Sequence, residues 1–414
     1  IHPLTVALPP APRLHEIQPV PQVLGVPGHV GEGGVRSLDL GNVGVRLVLN
    51  GSHAARRRLG LLHIGIDVQA LGRLHRLAHE FAEQRIAAAQ VVIQEVEWRP
   101  EREGVEPQAR GPIHEAYANP RDGTPNPSRV IERQPPEPIE EIPADARPEG
   151  DNVEWMPGYW AFDDTRDDFL WISGFWRVPP PDRSWVPGSW TEAQGGHQWT
   201  PGFWTDAEDD ELSYLPPPPE TLEAGPSTPA PDDEHVYAPG GWVYNTSRYQ
   251  WRPGTWIVHR PGWVWIPPCY RWTPVGCVYV GGYWDYPLAG RGVLYAPVWI
   301  DRRIARRPNW RYTPVHAIYD EGLYGSMFVR TGSSHYYFGD YFEARYTNLG
   351  YRSWFSVSVG RNNFAYDPLF SYYRQANRRD QYWAPALRDV YAARYAGDIA
   401  RPPVRVVNNI TGAI

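Results

Sequence analysis

Four sets of residues have types and spacing that could do chemistry. His75, His79 and Glu83 stand at i, i+4 and i+8, one face of a helix, where imidazole and carboxylate groups can seat a metal. Two acidic runs, "DDTRDD" at 163–168 and "DAEDDE" at 206–211, cluster carboxylates on short turns, and Asp163, Asp164, Asp167 and Asp168 are weak calcium candidates. "HYYFGDYF" sets His335 near Asp340 among aromatic rings. Cys269 and Cys277 are the only cysteines. Each set has a plainer reading. The histidine helix shows no further ligand nearby, and the acidic runs lack the spacing of a calcium loop and read as solvated turns. No nucleophile accompanies His335, so a buried hydrogen-bonded pair is expected there. Phosphate-binding glycine loops, GxSxG, HExxH and CxxC are all missing, so no catalytic residue, resident metal or cofactor is expected.

The remaining chemistry is aromatic. The chain has 20 Trp and 25 Tyr in 414 residues, with 45 Pro, 39 Gly and no Lys. Proline and glycine in such amounts often mark disorder, but disordered chains are poor in aromatics. Regularly spaced rings between turn residues predict many short strands instead. Six-residue copies recur: "WMPGYW" at 155, "WISGFW" at 171, "WVPGSW" at 185, "WTPGFW" at 199, "YAPGGW" at 237 and "WRPGTW" at 251. Two degenerate copies follow, "WIPPCY" at 265 and "YVGGYW" at 279. The intervals are 16, 14, 14, 38, 14, 14 and 14 residues, the 38 being one period plus 24 residues.

A 14-residue period is one arm of an antiparallel meander, a strand plus a turn. The two rings of a copy are five apart, which would send them to opposite faces of a regular strand. A bulge at the Pro–Gly pair would bring them back to one face. The expected fold is therefore all-β: an antiparallel meander of about eight repeat strands over 151–285, with an insertion at about 206–232. A smaller aromatic β region follows over 286–374, then a short helix and tail over 375–414. Residues 107–150 read as a Pro-rich acidic linker in extended conformation. Residues 1–106 are an atypical segment with little core and one expected helix at 68–97. No stretch is apolar enough to span a membrane, and the opening residues lack the pattern of a secretory leader.

Charge is segregated. Residues 137–234 carry 23 acidic residues against 4 Arg, and residues 235–414 carry 10 against 21. The arginines are scattered apart from "DRRIARR" at 301–307, so halves that attract each other, or mixed solvated faces, are favoured over a nucleic-acid surface. If the strands holding the last two copies pair antiparallel, facing residues are symmetric about 274.5, and the Cys269–Cys277 midpoint of 273 lies close enough to make a disulfide one of two open readings. The other is two free thiols buried as small apolar groups.

These copies resemble the WxxGxW (YxWGxW) repeat proteins of bacteria, over about "GPIHEAYANP" at 111 to "YDPLFSYYR" at 366–374. The resemblance implies a secreted, periplasmic or envelope-associated protein of unknown function, although residues 1–106 stand where a leader would be expected. It supplies no catalytic residues. The functional expectation is a non-catalytic structural or interaction protein of the envelope, with a glycan or protein partner. The alternative is a carbohydrate-binding module that stacks sugars on Trp155, Trp160, Trp171, Trp176, Trp185, Trp190, Trp199, Trp204, Trp242, Trp251 and Trp256. Core burial is expected for most of these rings, with one exposed row held open.

Overall fold

The computed structural model describes residues 104–120, 124–209, 211–318, 323–330, 333 and 335–401, plus the backbone of three short strands at 35–39, 46–50 and 406–408. The chain divides into two compact units, Ile1–Trp98 and Arg99–Ile414. In the first, Val35–Asp39 pairs antiparallel with Arg46–Asn50. The helix expected at 68–97, with His75, His79 and Glu83, lies outside the described residues.

The second unit is mostly antiparallel strand, with four α-helices among the described residues. No helix among the described residues is long and apolar enough to cross a membrane. Its repeat strands pair two by two. "WMPGYW" folds back on "WISGFW" so that Trp155 faces Trp176 and Trp160 faces Trp171. The second hairpin sets Trp185 against Trp204 and Trp190 against Trp199. In the third, Tyr237 faces Trp256 and Trp242 faces Trp251. In the fourth, Trp265 faces Trp284 and Tyr270 faces Tyr279. The hairpins are not joined in one sequential meander; strands from elsewhere in the chain flank some of them.

Each hairpin thus spends two copies, and its four rings form two facing pairs. All eight facing ring pairs sit 5.1–5.6 Å apart between centroids, edge-on or tilted. Such pairs contribute about 0.5–1.5 kcal/mol each beyond the area they bury.

The bulge expected at Pro–Gly is not there. In the first hairpin Met156 faces Phe175 before the Pro–Gly pair and Tyr159 faces Ile172 after it, so the register runs through unbroken. Both strands instead leave the ladder together for two residues. With no residue inserted, the odd spacing separates the rings: Trp160 and Trp171 join a cluster with Val105 and Val298, while Trp155 packs on the main core. The glycine is there for space. Its φ lies outside the left-handed region at Gly158 and Gly254 alike. A Cβ on Gly158 would strike the Trp171 indole and the Ile172 carbonyl. The opposing first ring also lies on Gly174, Gly188, Gly202, Gly240 and Gly282.

The segment read as a linker is partly core. Ile113 to Ala118 are all buried and Gly111–Pro112 pairs with Phe338 and Tyr337, while Val105–Pro107, where the atypical segment with little expected core meets the linker, pairs with Val298–Ile300. Around them packs an aromatic nest from the following region, in which Tyr341 stacks on Tyr351 at 4.3 Å and Phe328 touches Phe342 and Tyr391. "YDPLFSYYR", read as part of the β region, is a helix, Pro368–Ala376: Asp367 caps it by accepting from the Phe370 amide, and proline opens its first turn. The second expected helix is Trp383–Ala396, ended by Gly397 at φ 82°. Val406–Asn408, in the expected loose tail, pairs with His316–Ile318.

Two outcomes test this architecture. Gly254→Val puts a branched side chain into the Tyr237 hydroxyl and the Ala238 carbonyl, whereas Thr255 is exposed. We expect a loss of about 1–3 kcal/mol for Gly254→Val and under about 0.5 for Thr255→Val, read from urea unfolding midpoints. A chain cut before residue 99 should be more stable than one cut before residue 111, because only the second loses the Val105–Pro107 strand. Equal melting temperatures would show that this strand contributes nothing.

Candidate functional site

Where both strands leave the ladder, their amides lose their partners, and a buried amide without an acceptor is costly. Proline at the third position of most copies removes one donor on its strand. The glycine amide remains. In the first hairpin a single carboxylate answers it: Glu141 Oε2 accepts from Gly158 N at 2.7 Å, and Oε1 accepts from Gly174 N at 3.0 Å and Trp171 Nε1 at 2.6 Å. In the second, Glu115 accepts from Trp199 Nε1 at 3.1 Å and Gly202 N at 2.9 Å. In the third, Glu223 accepts from the Tyr237 hydroxyl at 2.8 Å and from the Gly240 amide.

These glutamates lie outside the repeats. Glu141 and Glu223 belong to proline-rich stretches, "PPEPIEEIPADARP" and "PPPPETLEAGPSTP", and each stands 14 residues ahead of the first ring of its hairpin. The stretches run as straps across the strands. Trp160 and Trp176 donate to the carbonyls of Glu137 and Ala144, at 2.9 and 2.7 Å. Trp242 and Trp256 donate in the same way to Glu220 and Thr228, each at 3.1 Å. Sequence reasoning missed all three glutamates. Their signal was the shared offset from the first ring and the 24 extra residues in the 38-residue interval, which hold the third hairpin's strap.

A buried polar cluster surrounds Glu115. His335 Nε2 lies 2.9 Å from the Tyr159 hydroxyl and 3.5 Å from Glu115 Oε1, and Tyr159 stacks on Trp199 at 4.9 Å. Burial pushes His335 below the usual histidine range, opposed by the Glu115 charge, and raises the Tyr159 hydroxyl well above the ordinary phenol. His114, whose Nδ1 accepts from Ala116 N at 3.0 Å, is pushed down to about 3 by burial. Glutamate, histidine and tyrosine are acid–base residue types, but here the side chains of Glu115 and His335 are 0% and 7% exposed and bonded to one another's neighbours. The expected His335–Asp340 pair is not formed; Asp340 accepts from the Phe342 amide and faces Arg401 at 3.5 Å. Close by, Arg177 and Arg291 clasp Asp285 at 2.6 and 3.0 Å, all three buried, and donate to the carbonyls of Ala116 and Tyr117.

The other sequence candidates are accounted for individually. The carboxylates of "DDTRDD" turn to different partners: Asp163 to Thr165, Asp164 to Arg129 and Arg330, Asp167 to Arg133, and Asp168 to Arg302 and Trp299. No group of carboxylates, histidines or cysteines that could hold a metal occurs among the described residues. In the second run, Asp206 lies 3.6 Å from Arg183 and Asp209 accepts from Thr205. Neither cysteine is joined in a disulfide. The expected symmetry about 274.5 is present, since Cys269 faces Val280 and Cys277 faces Trp272. The thiols are therefore three register positions apart, roughly 10 Å along the strand and on opposite faces, too far to bridge. Of the candidate stacking rings, Trp160, Trp171, Trp199 and Trp204 are buried, and Trp155, Trp176, Trp185, Trp190, Trp242, Trp251 and Trp256 are half-buried.

One open cleft gathers half-buried rings. It lies between the third and fourth hairpins, with a cavity volume of about 70 Å³, walled by Trp242, Trp251, Tyr270 and Tyr279 with Glu223 and Pro268. No family model, curated protein or solved structure matches the chain.

Glu141→Ala strands two glycine amides and an indole N–H, so we expect a loss of about 2–4 kcal/mol. Glu141→Gln keeps an acceptor and should lose less; hydrogen exchange at Gly158 and Gly174 checks the local cause. Acid provides a second test. Because His114 in the folded chain titrates near 3, below its unfolded value of 6.5, the unfolded chain binds a proton that the native state refuses. Its stabilisation is present above pH 6.5 and declines by up to about 1.4 kcal/mol per pH unit as pH falls toward 3. Urea midpoints between pH 7 and 4 should fall less steeply in His114→Gln.

Proposed function

We propose that this chain is a non-catalytic structural or interaction protein of the bacterial envelope or exterior, built from proline-rich straps bound to aromatic hairpins. One observation carries the reading. The aromatic repeats and the buried glutamates spend their hydrogen-bonding capacity on holding extended segments of this same chain. The resemblance of "WMPGYW" and its companions to WxxGxW repeat proteins supports an exported location. Fractionation of bacteria producing the protein from its own gene tests it: recovery in the periplasm, envelope or medium is expected, and recovery in the cytosol would overturn the reading.

A second reading, a carbohydrate-binding module, is favoured by the cleft, where Tyr279 is 39% exposed beside Trp242 and Trp251. Sugar rings stack on such faces. Saturable quenching of tryptophan fluorescence by cell-wall glycan fragments, abolished by Trp251→Ala, is the outcome that reading requires.

A further inference from the structure

The fourth hairpin lacks what the other three possess. Its gap holds Pro268 where the matching copies carry glycine, so both of its glycine amides, Gly281 and Gly282, come from the second strand, and Gly282 stands at the repeat's glycine position. Among the described residues no carboxylate reaches that amide. The second hairpin shows what should: Glu115 binds the first ring and the glycine of the second copy, Trp199 and Gly202. The equivalent donors here are the Tyr279 hydroxyl and the Gly282 amide, and neither has an acceptor among the described residues. That a hydroxyl can take the indole's place is shown by Tyr237, which donates to Glu223. Trp265 Nε1, over the same glycine, is buried with no acceptor either.

The vacancy opens to solvent and has arginines beside it. Pro268 and Tyr279 form one wall of the cleft, and Tyr279 is 39% exposed. Arg183 reaches the gap, donating to the Gly282 carbonyl at 3.2 Å, and the charges of Arg183 and Arg252 both act on Tyr279. The chain's own straps are the opposite in sign: residues 137–149 carry Glu137, Glu140, Glu141, Asp145 and Glu149 against Arg147 alone.

We propose that the fourth hairpin binds a strap in trans: an extended, proline-rich segment of another polypeptide, which inserts one glutamate between Tyr279 and Gly282. Backbone carbonyls of the incoming segment lie along the rings, as they do in the first and third hairpins. Such segments lose little conformational entropy on binding because they are already extended. The inference rests on the interaction-protein reading and names its partner class.

The test uses the full chain and two synthetic peptides copied from its straps, residues 134–147 and 216–229. Calorimetric titration should show saturable binding of at least one peptide. Replacing its gap glutamate, E141Q or E223Q, should weaken binding about tenfold, as should Tyr279→Phe or Arg252→Ala in the protein, with melting temperature unchanged. No binding of either peptide overturns the proposal. So does binding that Tyr279→Phe and Arg252→Ala leave intact, which would mean exchange with a resident strap. Saturation of the cleft by glycan fragments with no peptide binding would also overturn it. None of these results bears on cell fractionation, so the envelope reading stands or falls separately.

Discussion

A carboxylate that closes a symmetric break in a β ladder is the contact on which the rest of this protein depends. An antiparallel hairpin normally satisfies its own backbone, so a two-residue break on both strands is a defect unless something accepts the freed amides. The repeat limits the defect. Proline at the third position of most copies deletes one donor, glycine at the fourth keeps one, and the gap then presents at most a few N–H groups to one carboxylate. Glu141 meets this demand with two amides and one indole. The glycine does a second job, since without a Cβ it lets the opposing ring lie on the backbone and cover the buried carboxylate's site.

That division of labour explains the composition. Prolines serve in two places: in the copies, where they remove donors, and in the straps, where they keep the chain extended so that its carbonyls stay available to indoles. The tryptophans are amphipathic for the same reason. Their rings pair across the hairpin at 5.1–5.6 Å, while the N–H of Trp160, Trp176, Trp242 or Trp256 ties down a strap. Charge is used locally too. The acidic turn of the first hairpin meets arginines from both sides, Arg129 and Arg133 before it and Arg302 and Arg330 after it. The segregated halves therefore do meet, through individual ion pairs on a rim where each pair is worth little by itself.

Strand class, the 14-residue unit and the symmetry axis of the last hairpin at 274.5 were legible in the sequence because ring spacing and turn residues carry them directly. Three things were not. The bulge at Pro–Gly was a parity argument, and parity does not distinguish one strand stepping out from both stepping out together. The helix at 368–376 was hidden because aromatic density in "YDPLFSYYR" outweighed its cap and first-turn proline. The glutamates escaped because a strap has no period of its own: its hydrogen bonds go to side chains, and only its distance from the next hairpin records its role. The same blindness made residues 107–150 look like a linker, although Glu115 within them sits at 1% exposure.

Pairing by twos also accounts for the irregular intervals. A hairpin consumes two copies, so the interval inside a hairpin is set by its turn, and the interval between hairpins is free to grow. The one large interval, 38 residues, falls between the second and third hairpins and not within either. A strap must arrive before the hairpin it crosses, or come from far away as Glu115 does, 70 residues ahead of Trp185. The fourth hairpin follows the third by 14 residues, with no interval in which a strap could be placed. Its Pro268 and its two tyrosines at the inner pair fit that placement: no carboxylate among the described residues reaches the gap, the first strand contributes no glycine amide to it, and a hydroxyl open to solvent stands where other hairpins carry an indole.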